Sequence, residues 1–367
     1  MCWFEVWDFG GELVNALHSR PLQDEVPIGG TYIGPRKFMW QPLKSATLIW
    51  VEALDEGNPK VVVDHRDKIM LLESPETEIA EEIFRTEHRF SRIDWSENKD
   101  ELIYYEYDRD KIWKEGWLLE IGGKPKLVYD LSTRDKYSDP GKLVHKKTKH
   151  GRNVFIKSGD VVYYENNTGS TSEGNFPYLQ KFNLVTKEKE ILFRCKKDHY
   201  EIIQNFADDT LNKIIIRSEN QSNPPNYFLV NLESGERKEI TNYPNNFKQL
   251  SEITKEMVTY TRKDGIPLSA ELYLPARYKE GDKLPLVINA YPQEFTDSTT
   301  AGQITTTSSR FSRFSGSSVR YFVLEGYAVL TKASIPIVGD PETVNETFIE
   351  QTINSVEAAI KYLDERG

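Results

Sequence analysis

Cysteines, long apolar runs and stripes of basic residues are scarce in this sequence of 367 residues. The two cysteines, Cys2 and Cys195, lie far apart and show neither CxxC nor Cys/His ligand spacing, so the sequence indicates no disulfide framework and no zinc site. No run approaches the roughly 18 apolar residues of a membrane span, and none is predicted. With 47 basic and 57 acidic residues the net charge is −10, which disfavours binding to a phosphate backbone. We expect no nucleic-acid partner.

Patterns that would bind a metal are missing as well. Of the six histidines, the nearest pair is His145 and His150, which lie in a Lys-rich stretch without HExxH spacing and are interpreted as surface residues. The pair Asp208-Asp209 falls at the tip of a predicted hairpin, where Asp side chains accept turn hydrogen bonds; a metal role is the alternative. We therefore predict no metal and no cofactor.

What the first two thirds do contain is a repeated strand–turn–strand pattern. The passages that carry it lie 61 residues apart from Trp117 to Tyr178 and 49 residues apart from Tyr178 to Tyr227. Such spacings, with about four strands per repeat, are typical of propeller blades. The aromatic or apolar strands lie at 3–11, 116–123, 178–184 and 227–235, and the hairpins with Ser, Gly, Asn or Asp at their tips lie at 93–105, 153–164 and 204–216.

We therefore predict that residues 1–250 form an incomplete β-propeller of about four blades. The first residues already read as a strand, without the charged and apolar regions of a signal peptide. Because the array opens within a blade, we expect the natural N-terminus to lie upstream. The compartment stays open.

After the turn-rich stretch 242–251 the pattern changes to that of an α/β domain. Unbroken apolar runs suit strands that are buried on both faces and flanked by helices. The predicted elements are a hairpin around Asp264-Gly265, a strand Leu286–Ala290 ended by a turn at Asn289–Pro292, a helix Val319–Glu325, a strand Tyr327–Thr331, a loop Ala333–Asn345 and an amphipathic helix Thr347–Arg366.

Four phrases in this order carry a family resemblance. They are YTRKDGIPLSAELYLPARY at 260–278, LPLVINAYPQEF at 284–295, FVLEGYAVL at 322–330 and PIVGDPE at 336–342. Together they resemble the prolyl oligopeptidase family of serine peptidases (S9), in its glutamyl endopeptidase-like branch. The resemblance implies a propeller that caps an α/β-hydrolase domain, with a G-x-S-x-G nucleophile elbow and a Ser-Asp-His triad.

The elbow itself does not occur in the sequence. Ser315-Gly316-Ser317-Ser318 lacks the flanking glycines, and the elbow strand is expected directly after the helix that ends the chain. We therefore expect residues 251–367 to be the N-terminal part of the hydrolase domain. On this interpretation the chain is truncated at both ends, lacks the catalytic Ser, Asp and His, and is inactive alone.

The resemblance assigns roles to four residues that are present. Tyr291 matches a family tyrosine whose hydroxyl contributes to the oxyanion hole; the alternative is that its ring packs in the domain core. Arg310 and Arg313 lie in a loop that reaches towards substrate in related peptidases, where a guanidinium could pair with a carboxylate; the alternative is a solvated basic loop. Glu294 is a candidate for orienting Tyr291 or a substrate amine. The stretch Ile335–Gly339 is left unassigned.

The leading hypothesis is thus a fragment of a serine peptidase that cleaves peptides or proteins through an acyl-enzyme, with cleavage after Glu as a candidate specificity. The alternative is a propeller scaffold that binds partners and carries a vestigial hydrolase segment. A propeller with its own metal or lyase site would need a His/Asp/Glu constellation, which the sequence does not show. Oligomeric state stays open.

Overall fold

In the computed structural model, residues 2–77, 79–208 and 210–366 are described. Asp209 of the predicted hairpin tip and Gly367 at the predicted truncation lie outside these ranges. Most of the regular secondary structure in these ranges is antiparallel β-sheet. By contacts the chain divides into two compact units, Met1–Thr133 with Leu143–Val162, and Arg134–Lys142 with Tyr163–Gly367.

The predicted strand–turn–strand repeats are confirmed as antiparallel pairs, including Trp95 opposite Leu102 and Ser158 opposite Val161. Polar residues at the tips and alternating apolar residues in the strands account for this local structure. Among the described residues, three sheets have four strands in sequential order. A two-stranded ribbon precedes them, and a series of shorter strands separates the second from the third.

The ribbon is formed by β1 (Cys2–Trp7) and β2 (Leu13–Arg20). The first four-stranded sheet contains β3 (Arg36–Trp40), β4 (Leu48–Ala53), β5 (Asp67–Leu72) and β6 (Glu81–Thr86), and the second contains β7 (Arg89–Trp95), β8 (Glu101–Asp108), β9 (Trp113–Glu120) and β10 (Lys126–Ser132). The shorter series is β11 (Lys142–Leu143), β12 (His145–Lys147), β13 (Asn153–Phe155), β14 (Lys157–Ser158), β15 (Val161–Asn166), β16 (Ser170–Thr171), β17 (Gly174–Asn175), β18 (Tyr178–Asn183) and β19 (Lys189–Arg194). The third four-stranded sheet contains β20 (Tyr200–Phe206), β21 (Lys213–Glu219), β22 (Asn226–Asn231) and β23 (Arg237–Glu239).

The last third forms a mixed sheet in the order β24-β25-β27-β26, in which β26 and β27 are parallel. The predicted hairpin around Asp264-Gly265 joins the first two strands, and Gly265 adopts a φ of 88° in that turn. The strands are β24 (Thr254–Thr261), β25 (Pro267–Leu274), β26 (Leu286–Phe295) and β27 (Ala328–Val338). The helices are α1 (Ser298–Ala301), α2 (Phe348–Arg366) and the 3-10 segments Lys248–Leu250, Val319–Glu325 and Val344–Thr347.

Apolar side chains cover both faces of this mixed sheet. On one face Ala359 of α2 packs with Leu268 and Leu330 of the strands. On the other, Val323 of the 3-10 segment packs with Tyr273 and Val329. The expectation of a strand buried on both faces is therefore confirmed for β27, whereas Leu286, Val287 and Ile288 of the edge strand β26 are only half-buried.

The turn predicted at Asn289–Pro292 was wrong, because β26 continues through it to Phe295. Pro292 is tolerated there since β26 is the edge strand of the sheet. The loop predicted at Ala333–Asn345 was wrong in its first part, because β27 continues to Val338 as the parallel partner of β26. Pairing between the two strands overrides the local turn signals.

Asp208 and His145, for which the sequence predicted no metal role, have hydrogen-bond or ion-pair partners within the fold. Asp208 accepts hydrogen bonds from the Thr210 hydroxyl and the Asn212 amide at 2.9 and 3.0 Å, as turn chemistry predicts. His145 is half-buried, with Nε2 lying 3.3 Å from an Asp94 oxygen, and His150 is exposed, so neither contradicts the interpretation of this pair as surface residues.

In the described ranges no group of three or more His, Cys, Asp or Glu side chains could hold a metal ion. The same ranges contain no helix that is both long and apolar enough to cross a membrane.

Glu106 of β8 gives the first unit a pH-dependent stability. Its side chain is buried, and it accepts a hydrogen bond from the His88 amide at 2.6 Å. Burial raises the pKa of Glu106 to about 7, and the negative charge of the cross-strand neighbour Glu115 acts in the same direction. Between pH 4.5 and 7 the unfolded chain therefore loses this proton before the folded chain does, so the free energy of unfolding falls as pH rises.

We expect Glu106→Gln to remove this loss, because an amide stays neutral and can still accept from the His88 amide. At pH 8 the variant should be more stable than the wild type by up to about 3 kcal/mol, and the difference should vanish near pH 4.5. Urea unfolding at the two pH values measures it, with the exposed Glu76→Gln as control. A variant less stable than the wild type at pH 8 would contradict the buried-charge explanation.

Candidate functional site

A cleft of about 540 Å³ opens within the second unit, beside the mixed sheet. β24, β25, β26 and β27 contribute Lys255, Glu271, Asn289 and Lys332, respectively. The end of β21 and the segment from 310 to 320 supply the remaining charged side chains. The regular strands thus form one wall and irregular chain forms another.

The cleft is strongly basic although the chain is acidic overall. Its charged lining consists of six cations against two carboxylates: Arg217, Lys255, Arg310, Arg313, Arg320 and Lys332 against Glu219 and Glu271. The chain as a whole has a net charge of −10. A concave surface that concentrates one sign of charge attracts ligands of the opposite sign.

Glu271 is the buried centre of this charge cluster, with 2% of its surface exposed. One of its oxygens accepts from the Thr306 hydroxyl at 2.6 Å and from Lys332 Nζ at 2.8 Å, and the other accepts from the Tyr273 hydroxyl at 3.0 Å. Burial alone would raise the pKa of Glu271, but the charges of Lys255 and Lys332 and these hydrogen bonds hold it below its usual value. The carboxylate is therefore ionised at neutral pH.

Lys255 is a second buried charge of the cleft, with 6% of its surface exposed. Its Nζ donates to the Arg310 carbonyl at 3.2 Å and lies 3.9 Å from Glu271. Burial lowers the pKa of Lys255 to about 8, against the attraction of Glu271 and with the added repulsion of Lys332 and Arg320. Because Lys255 is buried beside other cations, an anion bound in the cleft would stabilise its charged form.

Lys332 owes its position to a β-bulge. Asn289 pairs with Thr331 and Ala290 pairs with Ala333, so Lys332 is the extra residue of β27. Its φ of 52° lies in the left-handed region, which costs a non-glycine residue on the order of 1–3 kcal/mol. The bulge lets Lys332 extend into the cleft, where its side chain is 54% exposed although its Nζ is bonded to Glu271.

Of the predicted site residues, Arg310 and Arg313 both line the cleft. The Arg310 guanidinium lies 4.8 Å from the Tyr200 ring centroid, and its Nε lies 3.6 Å from Glu219. Arg313 is exposed and has no ion pair among the described residues. Both arginines thus line a defined cleft with solvent-exposed side chains, and their role in binding substrate stays a prediction.

Tyr291 and Glu294 do not line the cleft as the structure describes it. Tyr291 is 88% exposed, so its ring packs in no core among the described residues, and its role in the oxyanion hole stays a prediction. Side chains alternate along a strand, so Tyr291 is on the same face of β26 as Asn289, which lines the cleft. Glu294 is exposed and lies on the opposite face by the same alternation.

Lys255, Glu271, Arg320 and Lys332 were not among the predicted site residues. A signal for Glu271 was present, because it is the one charged residue in the mostly apolar stretch LSAELYL at 268–274. A charge at an inward position of a strand must find a partner. Lys332 left no such signal, since its placement depends on the bulge.

Comparison with known proteins identifies relatives of the whole chain. It is 31% identical, over 99% of its length, to the rice (Oryza sativa subsp. japonica) protein named "Probable glutamyl endopeptidase, chloroplastic", and equally identical to the Arabidopsis thaliana protein of the same name. The chain spans 41% and 40% of the length of these relatives. No family model matches the chain.

A solved structure shares the fold. The crystal structure from Bacteroides ovatus named "putative dipeptidyl aminopeptidase IV" is 14% identical, with a TM-score of 0.50 over 90% of this chain and 56% of that one. The sequence identity over nearly the full chain agrees with the four ordered phrases that suggested the family. Along almost its whole length the chain is thus similar to proteins named glutamyl endopeptidase, and its four ordered phrases resemble the prolyl oligopeptidase family of serine peptidases (S9).

Proposed function

We propose that this chain is the substrate-binding part of a serine peptidase that cleaves peptides after glutamate. Its antiparallel sheets are interpreted as an incomplete propeller of about four blades, ending near residue 250. Residues 251–367 then form the N-terminal portion of an α/β-hydrolase domain. The sequential four-stranded sheets and the parallel pair β26 and β27 packed against α2 support this assignment.

The basic cleft is the observation that supports the proposed specificity for glutamate. A peptidase that reads glutamate must offer a cation to a carboxylate, preferably a guanidinium, which pairs bidentately. Arg310 and Arg313 supply two such groups in a cleft with four more cations than carboxylates. Tyr291, on the same strand face as Asn289 of the cleft, is the proposed oxyanion donor; a role for Glu294 stays a prediction.

Catalysis in this proposal needs more than these 367 residues. No G-x-S-x-G elbow occurs in them, and the chain corresponds to about two fifths of its curated relatives. The nucleophile, the aspartate and the histidine of the acyl-enzyme mechanism would come from a longer protein in which this segment is included. The segment alone is expected to be inactive.

Turnover and active-site labelling test the proposal. The 367-residue chain is expected to show no labelling by a fluorophosphonate probe and no cleavage of Glu-containing peptides. A longer product of the same gene, found by sequencing the flanking DNA, is expected to do both. Stoichiometric labelling of the 367-residue chain would contradict its inactivity, and a longer product that cleaves Gln-containing peptides equally well would contradict the specificity.

A further inference from the structure

The cleft holds a carboxylate–ammonium pair that is built before any ligand arrives. Glu271 is fixed by hydrogen bonds from Thr306 and Tyr273, and Lys332 Nζ donates to the same carboxylate at 2.8 Å. The hydrogen bonds from Thr306 and Tyr273 restrict rotation of the Glu271 carboxylate. Glu271 is therefore a rigid hydrogen-bond acceptor. Lys332 is therefore held at a defined position although half of its side chain is exposed.

The pair leaves Lys332 with unused binding capacity. An ammonium group has three N–H donors, and the described residues accept only one hydrogen bond from Lys332, through Glu271. The two remaining donors can reach into the cleft. A surface ammonium without such anchoring would lose rotamer entropy on binding a ligand, whereas most of that cost has already been met here.

The surrounding charges define the chemistry of the ligand. Arg310, Arg313 and Arg320 line the same cleft, and Glu219 offsets only part of their charge. A cleft in which every cation was paired with a carboxylate would have no such excess of positive charge. Several carboxylates on one flexible chain would match it better than a single anion, because the cations are spread along the cleft from the end of β21 to β27.

We infer that the 367-residue chain by itself binds acidic peptides in this cleft, with Lys332 as a carboxylate-binding residue and Glu271 as the residue that positions it. The inference rests on the proposed function for the peptide class. It goes further by assigning peptide binding to the segment without catalysis and by naming two residues outside the predicted set. The strained backbone at Lys332 is then the structural cost of placing its ammonium at this position.

Fluorescence anisotropy with two matched peptides tests the inference. A fluorescein-labelled peptide with three Glu residues is expected to bind the chain at least tenfold more tightly than the same peptide with three Gln residues. Because the contacts are ionic, affinity should fall between 50 and 200 mM NaCl. Equal binding of the two peptides, or none of the Glu peptide, would overturn the inference.

Substitutions locate the binding residue. Lys332→Met is expected to weaken binding of the Glu peptide about tenfold, whereas Lys361→Met, which removes an exposed lysine of α2, should leave it within twofold. Lys332→Gln provides a second variant if the methionine variant fails to fold, with circular dichroism as the check. Unchanged binding in a folded Lys332 variant would contradict the assignment.

A double-mutant cycle tests the positioning role of Glu271. If Glu271 acts through Lys332, Glu271→Gln weakens binding in the wild-type background and has little further effect in the Lys332→Met background. Additive losses would assign Glu271 a separate structural role and overturn its positioning function. If the segment binds acidic peptides but the longer protein cleaves after other residues, the proposed specificity is wrong and this inference stands. If the longer protein cleaves after Glu but the segment does not bind acidic peptides, only this inference is wrong.

Discussion

In the longer peptidase that we propose contains this segment, Tyr291→Phe is expected to lower kcat by about 10²- to 10³-fold, because one oxyanion-hole donor contributes about 2.7–4 kcal/mol to the transition state. The ring stays in place, and only the hydroxyl is removed. KM should change little, since the hydroxyl would interact with charge that develops during the reaction rather than with bound substrate. Steady-state kinetics on a Glu-containing peptide separates the two constants.

The exposure of Tyr291 makes this variant informative. At 88% exposure its hydroxyl makes no hydrogen bond within the described ranges, so its loss should not affect folding. Tyr243→Phe, at another exposed tyrosine of the second unit, is the matched control and should leave kcat unchanged. If Tyr291→Phe raises KM and leaves kcat intact, Tyr291 binds substrate and another group stabilises the oxyanion.

The elements that local chemistry specifies could be predicted from the sequence. Asp264-Gly265 offers one low-energy hairpin turn, and the structure has that hairpin. The segment Val319–Glu325 and the final helix also lie where their side-chain patterns indicated, the latter beginning at Phe348. In each case the signal lies within a few residues of the element that it predicts.

The elements that depend on pairing could not be predicted in the same way. Asn289–Pro292 carries turn residues, yet Pro292 lies opposite Ile335 in the parallel pair. The same pairing creates the bulge at Lys332, so the position of this ammonium follows from the register of two strands about 40 residues apart in sequence. Arg310 and Arg313 were predicted only because the family resemblance named their loop.

The first unit depends on two carboxylates with no exposure to solvent, Asp55 and Asp67. Asp67 accepts hydrogen bonds from Arg36 at 2.5 Å, from Arg89 at 2.6 Å and from the Phe90 amide at 2.7 Å. Arg89 also bonds Asp55, which joins the two carboxylates into one network. Arg36 is itself only 4% exposed, so its positive charge is almost completely removed from water.

Asp67→Asn is therefore expected to destabilise the protein by about 3–5 kcal/mol, the cost of leaving a buried charge without its partner. The amide is the same size as the carboxylate, but one of its two terminal atoms is a donor that would face the donors of Arg36, Arg89 or Phe90. Urea unfolding at pH 7 measures the loss. Asp64→Asn removes the same charge from an exposed position three residues away and should change stability by less than about 0.5 kcal/mol. If the two variants are equally stable, the network does not determine stability. If only Asp67→Asn unfolds at a lower urea concentration, the buried carboxylate stabilises the burial of these arginines.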